Sequence, residues 1–467
     1  MTDRKKTPTL FHSLIPIITI ALFLGIGYGV FKLRIEFLLI AAAAVTGMVA
    51  LRLGYSYKEM EEGIVHSISK GMPAIMVLIV VGMLIGTWMA SGAIPMMIYY
   101  GLKIISPSMY LVTACVVCSI ISVVTGTSYG TAGTVGVAFV GIAQGLDIPL
   151  SHAAGAIVAG SYFGDKLSPF SDTTNLAPIA SGSNLFDHIR HMLWTTTPAW
   201  LLGLIIYFFL GLGVGNSQES ERLTLIMETI RGGFKFGVIL LIPPALTLYA
   251  AIAKKPTIPG MIVSSLAAVL LAVFYQGVPV SSAIDSMIVG NVGETGVELV
   301  DGLLTKGGMI SMMDAVLIVL CAFAFAGIAQ KSGMLDVLLE RLMRIADTTG
   351  KLIASVSASS VAVAIMTGSS YLTLLIPGEL FSPAFKKRNL AAKNLSRTVE
   401  DSGTVIVPIV PWSVAGVFMT GTLGVQTASY APFAFMCYFS VFFAVLYGFT
   451  GFAIAPKIRE DETIPGS

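Results

Sequence analysis

Apolar residues come along this chain in stretches of the length a helix needs to cross a bilayer, roughly 20 residues, with shorter pieces where a helix is broken. The stretches lie near 14–31, 37–53, 72–90, 109–124, 131–146, 152–180, 192–213, 235–252, 258–276, 312–330, 352–367, 369–385, 389–418 and 430–453. Fourteen crossings are therefore expected, in an all-α polytopic membrane protein. The pairs 109–124/131–146 and 352–367/369–385 are open to a second reading as re-entrant hairpins, which leaves the orientation of every other crossing unchanged.

The pattern repeats. Gly86, Ser91 and Gly92 return as Gly327, Ser332 and Gly333 at an offset of 241, and Thr125-Gly126-Thr127-Ser128-Tyr129 returns as Thr367-Gly368-Ser369-Ser370-Tyr371 at 242. Seven crossings per repeat is an odd number, so the second half enters from the opposite side and the repeats are inverted. The expected organisation is a cytoplasmic tail (1–13), a first repeat (14–213), a polar linker (214–234), a second repeat (235–453) and a cytoplasmic tail (454–467), with discontinuous helices meeting near the midplane. Lysine and arginine test the orientation, because they collect on the cytoplasmic side. With the N-terminus inside, nineteen of the 28 fall in inward loops, seven in outward loops, and Lys166 and Arg397 within spans. The loop 277–311 is acidic where its first-half counterpart, the loop 52–71, carries three basic residues.

Composition agrees with a membrane class. The chain is 55% hydrophobic and 12% charged, with a mean hydropathy of +0.85, whereas soluble domains carry about a quarter charged residues. A net charge of +2 points to no nucleic-acid partner and no acidic ligand. The CxxC spacing of Cys115 and Cys118 lies in an apolar run without histidine or further cysteine, as small buried hydrophobes do. The short basic start followed by a long apolar run reads as a retained first span rather than a cleaved leader.

Against this background polar residues at membrane depth carry weight, since they are costly unless they line a polar cavity. The run 160–178 holds Asp165, Lys166, Ser168, Ser171, Asp172, Thr173 and Asn175 around Pro169, between flanks too short to cross alone. Pro169 interrupts the helix and is expected to free carbonyls for a cation, and hard cations take oxygen ligands. The run 397–411 holds Arg397, Glu400, Asp401, Ser402 and Thr404 before Pro408 and Pro411. Its bland reading is Arg397 and Glu400 neutralising each other three residues apart on a helix. The turns with Thr127 and Ser128, and with Ser369 and Ser370, suit close backbone approach to a ligand or plain helix packing equally. Asp165, Asp172 and Asp401 are the expected Na+ carboxylates, with Asp165 foremost. The four acids Asp165, Asp172, Glu400 and Asp401 are expected to converge near the midplane. Glu379 and Asp314 are weaker candidates near the membrane surfaces. His188 and His191 are expected in a solvated inward loop.

The segments Gly164–Pro178 (GDKLSPFSDTTNLAP), Gly86–Lys103 (GTWMASGAIPMMIYYGLK) and Glu400–Trp412 (EDSGTVIVPIVPW) closely resemble the NhaC family of Na+/H+ antiporters, which includes bacterial malate/lactate antiporters. The likeness runs from about residue 10 to 455. It implies exchange of Na+ for H+ across the bacterial plasma membrane, no cofactor beyond the transported ions, and the bilayer as partner. It leaves a carboxylate co-substrate (malate, lactate) and a homo-oligomer open. Proton and Na+ then compete for one buried carboxylate, and Lys166 and Arg397 either replace a cation in the empty site or bind an organic acid. A channel has no need of two broken helices with titratable groups. An intramembrane enzyme needs a catalytic set, and neither HExxH nor a GxGD motif with a second acid is present.

Overall fold

The computed structural model describes residues 5–212 and 219–456. The first half contains α1 (Leu10–Tyr28), α2 (Ile35–Arg52), α3 (Tyr57–Ala90), α4 (Ala93–Ile104), α5 (Tyr110–Thr125), α6 (128–145), α7 (Leu150–Leu167), α8 (Asp172–Ser181) and α9 (Leu185–Leu212). The second contains α10 (Glu219–Gly233), α11 (Val238–Ile252), α12 (Thr257–Gln276), α13 (Val280–Ile288), α14 (Glu298–Leu304), α15 (Ile310–Lys331) and α16 (Met334–Arg344). It continues with α17 (Thr349–Thr367), α18 (Ser370–Lys387), α19 (Ala392–Ser402), α20 (Val414–Leu423), α21 (Thr427–Phe433) and α22 (Phe435–Thr450). Among the described residues there is no strand, only the isolated bridges Asn291–Lys306 and Leu390–Pro456.

Eight helices are long and apolar enough to cross a membrane, and up to eleven when each bent pair counts as one span. The fourteen crossings expected from hydropathy are thus too many by this measure. The stretches near 131–146, 152–180 and 369–385 make the difference. Each forms helices shortened or made polar by the residues that set them apart: a break at Gly126-Thr127, Asp165 and Lys166 before Pro169, and Glu379 with two lysines in α18. Large apolar side chains such as Phe37, Ile40, Phe209, Val263 and Phe442 are more than half exposed, a surface that suits acyl chains and not water.

The 52–71 segment is not a loop. Ser56 caps α3 with a reciprocal Glu59 capping box, and the helix runs 34 residues without interruption. At 1.5 Å per residue it is about 50 Å long, so its polar first turns stand beyond the hydrocarbon. The linker expected over 214–234 is likewise helical from Glu219 onward, and α10 turns 97° into α11. Residues 213–218, the first four residues and 457–467, with Arg4, Lys457 and Arg459, lie outside the described residues.

Helices α3 and α15 cross in close contact. A Cβ on Gly63 would stand 2.6 Å from the Gly327 carbonyl oxygen, and one on Gly327 would stand 2.5 Å from that of Gly63. The two backbones touch because neither has a side chain there. Gly327→Val is expected to lower stability by about 1–3 kcal/mol, the range for an overpacked core. Thermal unfolding in detergent checks this; an unchanged midpoint contradicts the crossing. The cysteines of the CxxC spacing are buried free thiols on α5, with Gly160 of α7 against the Cys115 carbonyl.

The two repeated turns share their local geometry. Gly92 and Gly333 are both left-handed (φ 84° and 70°) and open α4 and α16. Gly126 and Gly368 (φ 67° and 63°) end α5 and α17, followed by Thr127 and Ser369 as side-chain caps of the next helices. A Cβ on Gly126 would meet Phe170 and Ser171; one on Gly368 would meet Trp412 and Ser413. Pro169-Phe170-Ser171 and Pro411-Trp412-Ser413 stand 242 residues apart, and both serines cap a helix after a break.

Candidate functional site

Helix α7 lies flush against α5 through small residues at four-residue spacing, Ala156, Gly160 and Gly164. Cβ atoms on the two glycines would come within 2.2 and 2.4 Å of the carbonyl oxygens of Cys115 and Ser119. The helix stops at Leu167 because Pro169 has no N–H to continue it. The expectation that this break leaves carbonyls free for a cation meets a different arrangement. Thr174 Oγ1 donates to the Asp165 and Lys166 carbonyls (3.0 and 3.2 Å), and Asn175 Nδ2 to those of Pro169 and Ser171 (2.9 and 2.7 Å). Side chains from the first turns of α8 replace the missing backbone donors. Ser168 likewise spends its hydroxyl on the Val123 carbonyl, 2.7 Å away.

The break delivers two buried charges side by side. Asp165 is 8% exposed and accepts from the Ser128 hydroxyl at 3.0 Å, with the Ser171 hydroxyl beside it. Ser171 also caps α8 and meets Thr173 Oγ1 at 3.1 Å. Lys166 is fully buried and donates to Asp401 Oδ1 (2.6 Å) and to Ser440 Oγ (2.7 Å); Ser440 in turn donates to Asp401 at 3.0 Å. An ion pair thus joins α7 of the first half to α19 of the second.

Helix α19 is polar and yet buried throughout: Asn394, Ser396, Arg397, Thr398, Glu400, Asp401 and Ser402 are each 0% exposed. Polar side chains in such a place need partners, and several have them only in part. Glu400 Oε1 accepts from Thr404 at 3.1 Å while Oε2 has no partner; its charged neighbours are Lys166, Asp165 and Asp401. Arg397 donates through Nη1 to the Ala453 carbonyl (2.9 Å), and its Nε and Nη2 are unpartnered. The Arg397–Glu400 pair weighed from the sequence is therefore not formed.

Asp165, Glu400 and Asp401 come together around Lys166, whereas Asp172 does not join them. It is exposed in the first turn of α8, where Tyr371 Oη reaches it at 3.5 Å. Among the described residues no three His, Cys, Asp or Glu side chains are placed to hold a metal ion together, so Asp165, Asp172 and Asp401 do not share one carboxylate cage. Of the hydroxyl turns, Ser128 alone is bonded to a carboxylate: Thr127 and Ser369 cap their helices, and the Ser370 carbonyl accepts from Thr373. A cavity of about 250 Å³ lies between this turn and α11–α12, lined by Thr127, Thr134, Trp88 and Lys255. Lys254 covers Phe170 of the break, 5.0 Å from the ring centre. Glu379 is exposed, and Asp314 is exposed and pairs with Arg34 at 3.4 Å.

His188 and His191 are not in a solvated loop. Both are buried in α9 and bonded to α19, His188 Nδ1 to Ser396 Oγ (2.9 Å) and His191 Nε2 to Asn394 Oδ1 (3.1 Å). Asn394 Nδ2 donates to the Ala391 and Ala455 carbonyls, so its Oδ1 is the acceptor and His191 Nε2 carries the proton. The sequence reading also passed over Thr174, Ser440 and Tyr371. Single hydroxyls give no local signal, because their partners lie on other helices or around a bend.

Buried carboxylates and basic groups gathered where spanning helices break suit a multi-pass membrane transporter, and the likeness to known antiporters makes the protein a transporter and not an enzyme. The chain belongs to the Na+/H+ antiporter family, whose profile matches residues 160–452. It is 44% identical to an uncharacterized Na+/H+ antiporter of Haemophilus influenzae over 97% of this chain and 98% of that protein. It is 40% identical to the Na+/H+ antiporter NhaC of Alkalihalophilus pseudofirmus over 89% of each. A malate-2H+/Na+-lactate antiporter of Bacillus subtilis is 36% identical over 96% of each.

Proposed function

We propose that this protein exchanges Na+ for H+ across the bacterial plasma membrane by alternating access, with Asp165 as the carboxylate at which the two cations compete. The observation that carries this reading is the charge of the buried cluster. With every group ionised, three carboxylates (Asp165, Glu400, Asp401) and two basic groups (Lys166, Arg397) leave one negative charge in excess. One Na+ or one proton neutralises it, and both together do not fit the same balance. An unneutralised charge is costly at this depth, which makes either cation favourable and makes them exclusive.

Asp165 is the member with hydroxyls rather than a cation as its neighbours: Ser128 and Ser171 supply oxygen atoms that suit Na+, while Lys166 is committed to Asp401. Asp172, Thr173, Asn175 and Thr404 belong to this reading as surroundings of the pathway rather than ligands, and the cavity beside Thr127 ends one residue from Ser128. Helices α7 and α19 belong to inverted repeats over 14–213 and 235–453 meeting near the midplane, with both termini in the cytoplasm. The two Pro-aromatic-Ser breaks at one offset, each packed on the glycine of the equivalent turn, support that relation.

In everted membrane vesicles holding a proton gradient, Na+ is expected to dissipate the gradient without malate or lactate. The Bacillus subtilis relative favours a second reading, in which an organic acid travels with the ions. Proton movement that requires malate and lactate on opposite sides would select it, and Na+-independent proton movement would sink both.

A further inference from the structure

Arg397 is the largest fully buried cation among the described residues, and only one of its five N–H groups is accounted for by the Ala453 carbonyl while Nε and Nη2 have no partner. One helical turn further on, Asp401 binds Lys166 through Oδ1 and leaves Oδ2 unpartnered. Residues four apart on a helix face each other, about 5–6 Å between Cβ atoms. The unsatisfied donors of one side chain and the unsatisfied acceptor of the other thus share a face of α19, both at 0% exposure. A guanidinium can close on a carboxylate with two parallel hydrogen bonds, which an ammonium cannot.

We infer that Arg397 is the second partner of Asp401, taking over its carboxylate when Lys166 releases it. The inference rests on the Na+/H+ exchange reading of this cluster. Lys166 has somewhere to go, since Glu400 Oε2 is unpartnered and Lys166 is foremost among its charged neighbours. The exchange of partners turns one buried ion pair into two and satisfies atoms now left over. It also changes what the pairs hold together. Lys166–Asp401 ties α7 of the first half to α19 of the second, whereas Arg397–Asp401 lies within α19 alone. The swap therefore moves the tie between the halves from Asp401 to its neighbour Glu400, one position back on α19, so α7 and α19 can change register at no loss of charge compensation. Arg397 is a positioning residue here: it acts through Asp401 and not on the transported ion. The groups facing the pair are Lys166 and Asp165 of α7, Glu400 of α19, Ser440 and Tyr447 of α22 and His191 of α9.

The full-length protein in liposomes with a trapped pH indicator provides the test. Arg397→Gln is expected to lower the maximal rate of Na+-dependent proton movement at least about tenfold, with the Na+ half-saturation concentration within about twofold of the parent. Arg397→Lys should restore most of the rate, but with the alkaline limb of the pH profile moved to lower pH, because a buried ammonium can lose its proton and a guanidinium cannot. A parental rate in Arg397→Gln overturns the inference. So does equal impairment of both variants together with a lower unfolding temperature, the mark of a purely structural arginine. Where the glutamine variant does not fold, the lysine variant decides alone: a moved alkaline limb supports the swap, and an unmoved one overturns it. Absence of exchange in the parent itself would instead overturn the functional reading on which the inference stands.

Discussion

Asp165→Asn is expected to abolish Na+-dependent proton movement, a loss of about a hundredfold or more, while the protein still reaches the membrane and remains folded. The amide keeps the shape of the carboxylate and its acceptor for the Ser128 hydroxyl, so the Ser128 contact and the packing of α7 on α5 survive. What disappears is the charge for which Na+ and H+ compete. A hydrogen bond or ion contact to a charged group is worth about 1.5–3 kcal/mol, and a hundredfold corresponds to about 2.7 kcal/mol. Proton flux in vesicles, compared at equal amounts of protein in the membrane, reads the result. Near-normal exchange in this variant would move the coupling to Glu400, the other buried carboxylate without a direct ion pair, and Glu400→Gln would then have to carry the loss.

The second large effect concerns Lys166 and Asp401, and it separates stability from transport. Lys166→Gln leaves Asp401 buried without its cation, and Asp401→Asn leaves an ammonium at 0% exposure facing an amide. Breaking one side of a buried pair costs about 3–5 kcal/mol, so each single variant should unfold at a clearly lower temperature. The double variant removes both charges and retains hydrogen bonding to Ser440, and should recover most of the lost stability. Exchange should not recover with it, because the cluster no longer has a pair to open. Unfolding midpoints and vesicle flux for the three variants form one cycle. A double variant no more stable than the singles would contradict the pair as drawn, and a double variant with full activity would remove it from the mechanism.

The buried acids show how far the chain alone could be read. Asp165 and Lys166 were legible as unusual because charge in an apolar run is a local signal, and Pro169 marked the break beside them. Asp172, three residues past the same proline, carried the same signal and yet is exposed against Tyr371. The bend between α7 and α8 turns the first carboxylate inward and the other outward, and no pattern in the sequence encodes its direction. Arg397 and Glu400 three apart looked self-neutralising, but Arg397 is drawn to the Ala453 carbonyl across 56 residues and Glu400 to Thr404. His188 and His191 looked solvated because hydropathy placed them in an inward loop; in α9 both imidazoles turn to α19.

By itself the sequence determined the membrane class, the helical fold, the places where helices break, and the family. The first three follow from hydropathy, proline and glycine, whose effects act over one or two helical turns, and the family from the resemblance of three motifs. It also overcounted the crossings, because hydropathy does not measure whether a stretch is long and regular enough to span. The tertiary structure decided which charges meet: Lys166 with Asp401 over 235 residues, Asp165 with Ser128 over 37, and a polar α19 enclosed by α9, α17, α18 and α22. The physical reason is that a buried charge is tolerated only where another chain segment brings its partner, and that partner is chosen by how helices pack, not by which residues neighbour it along the chain.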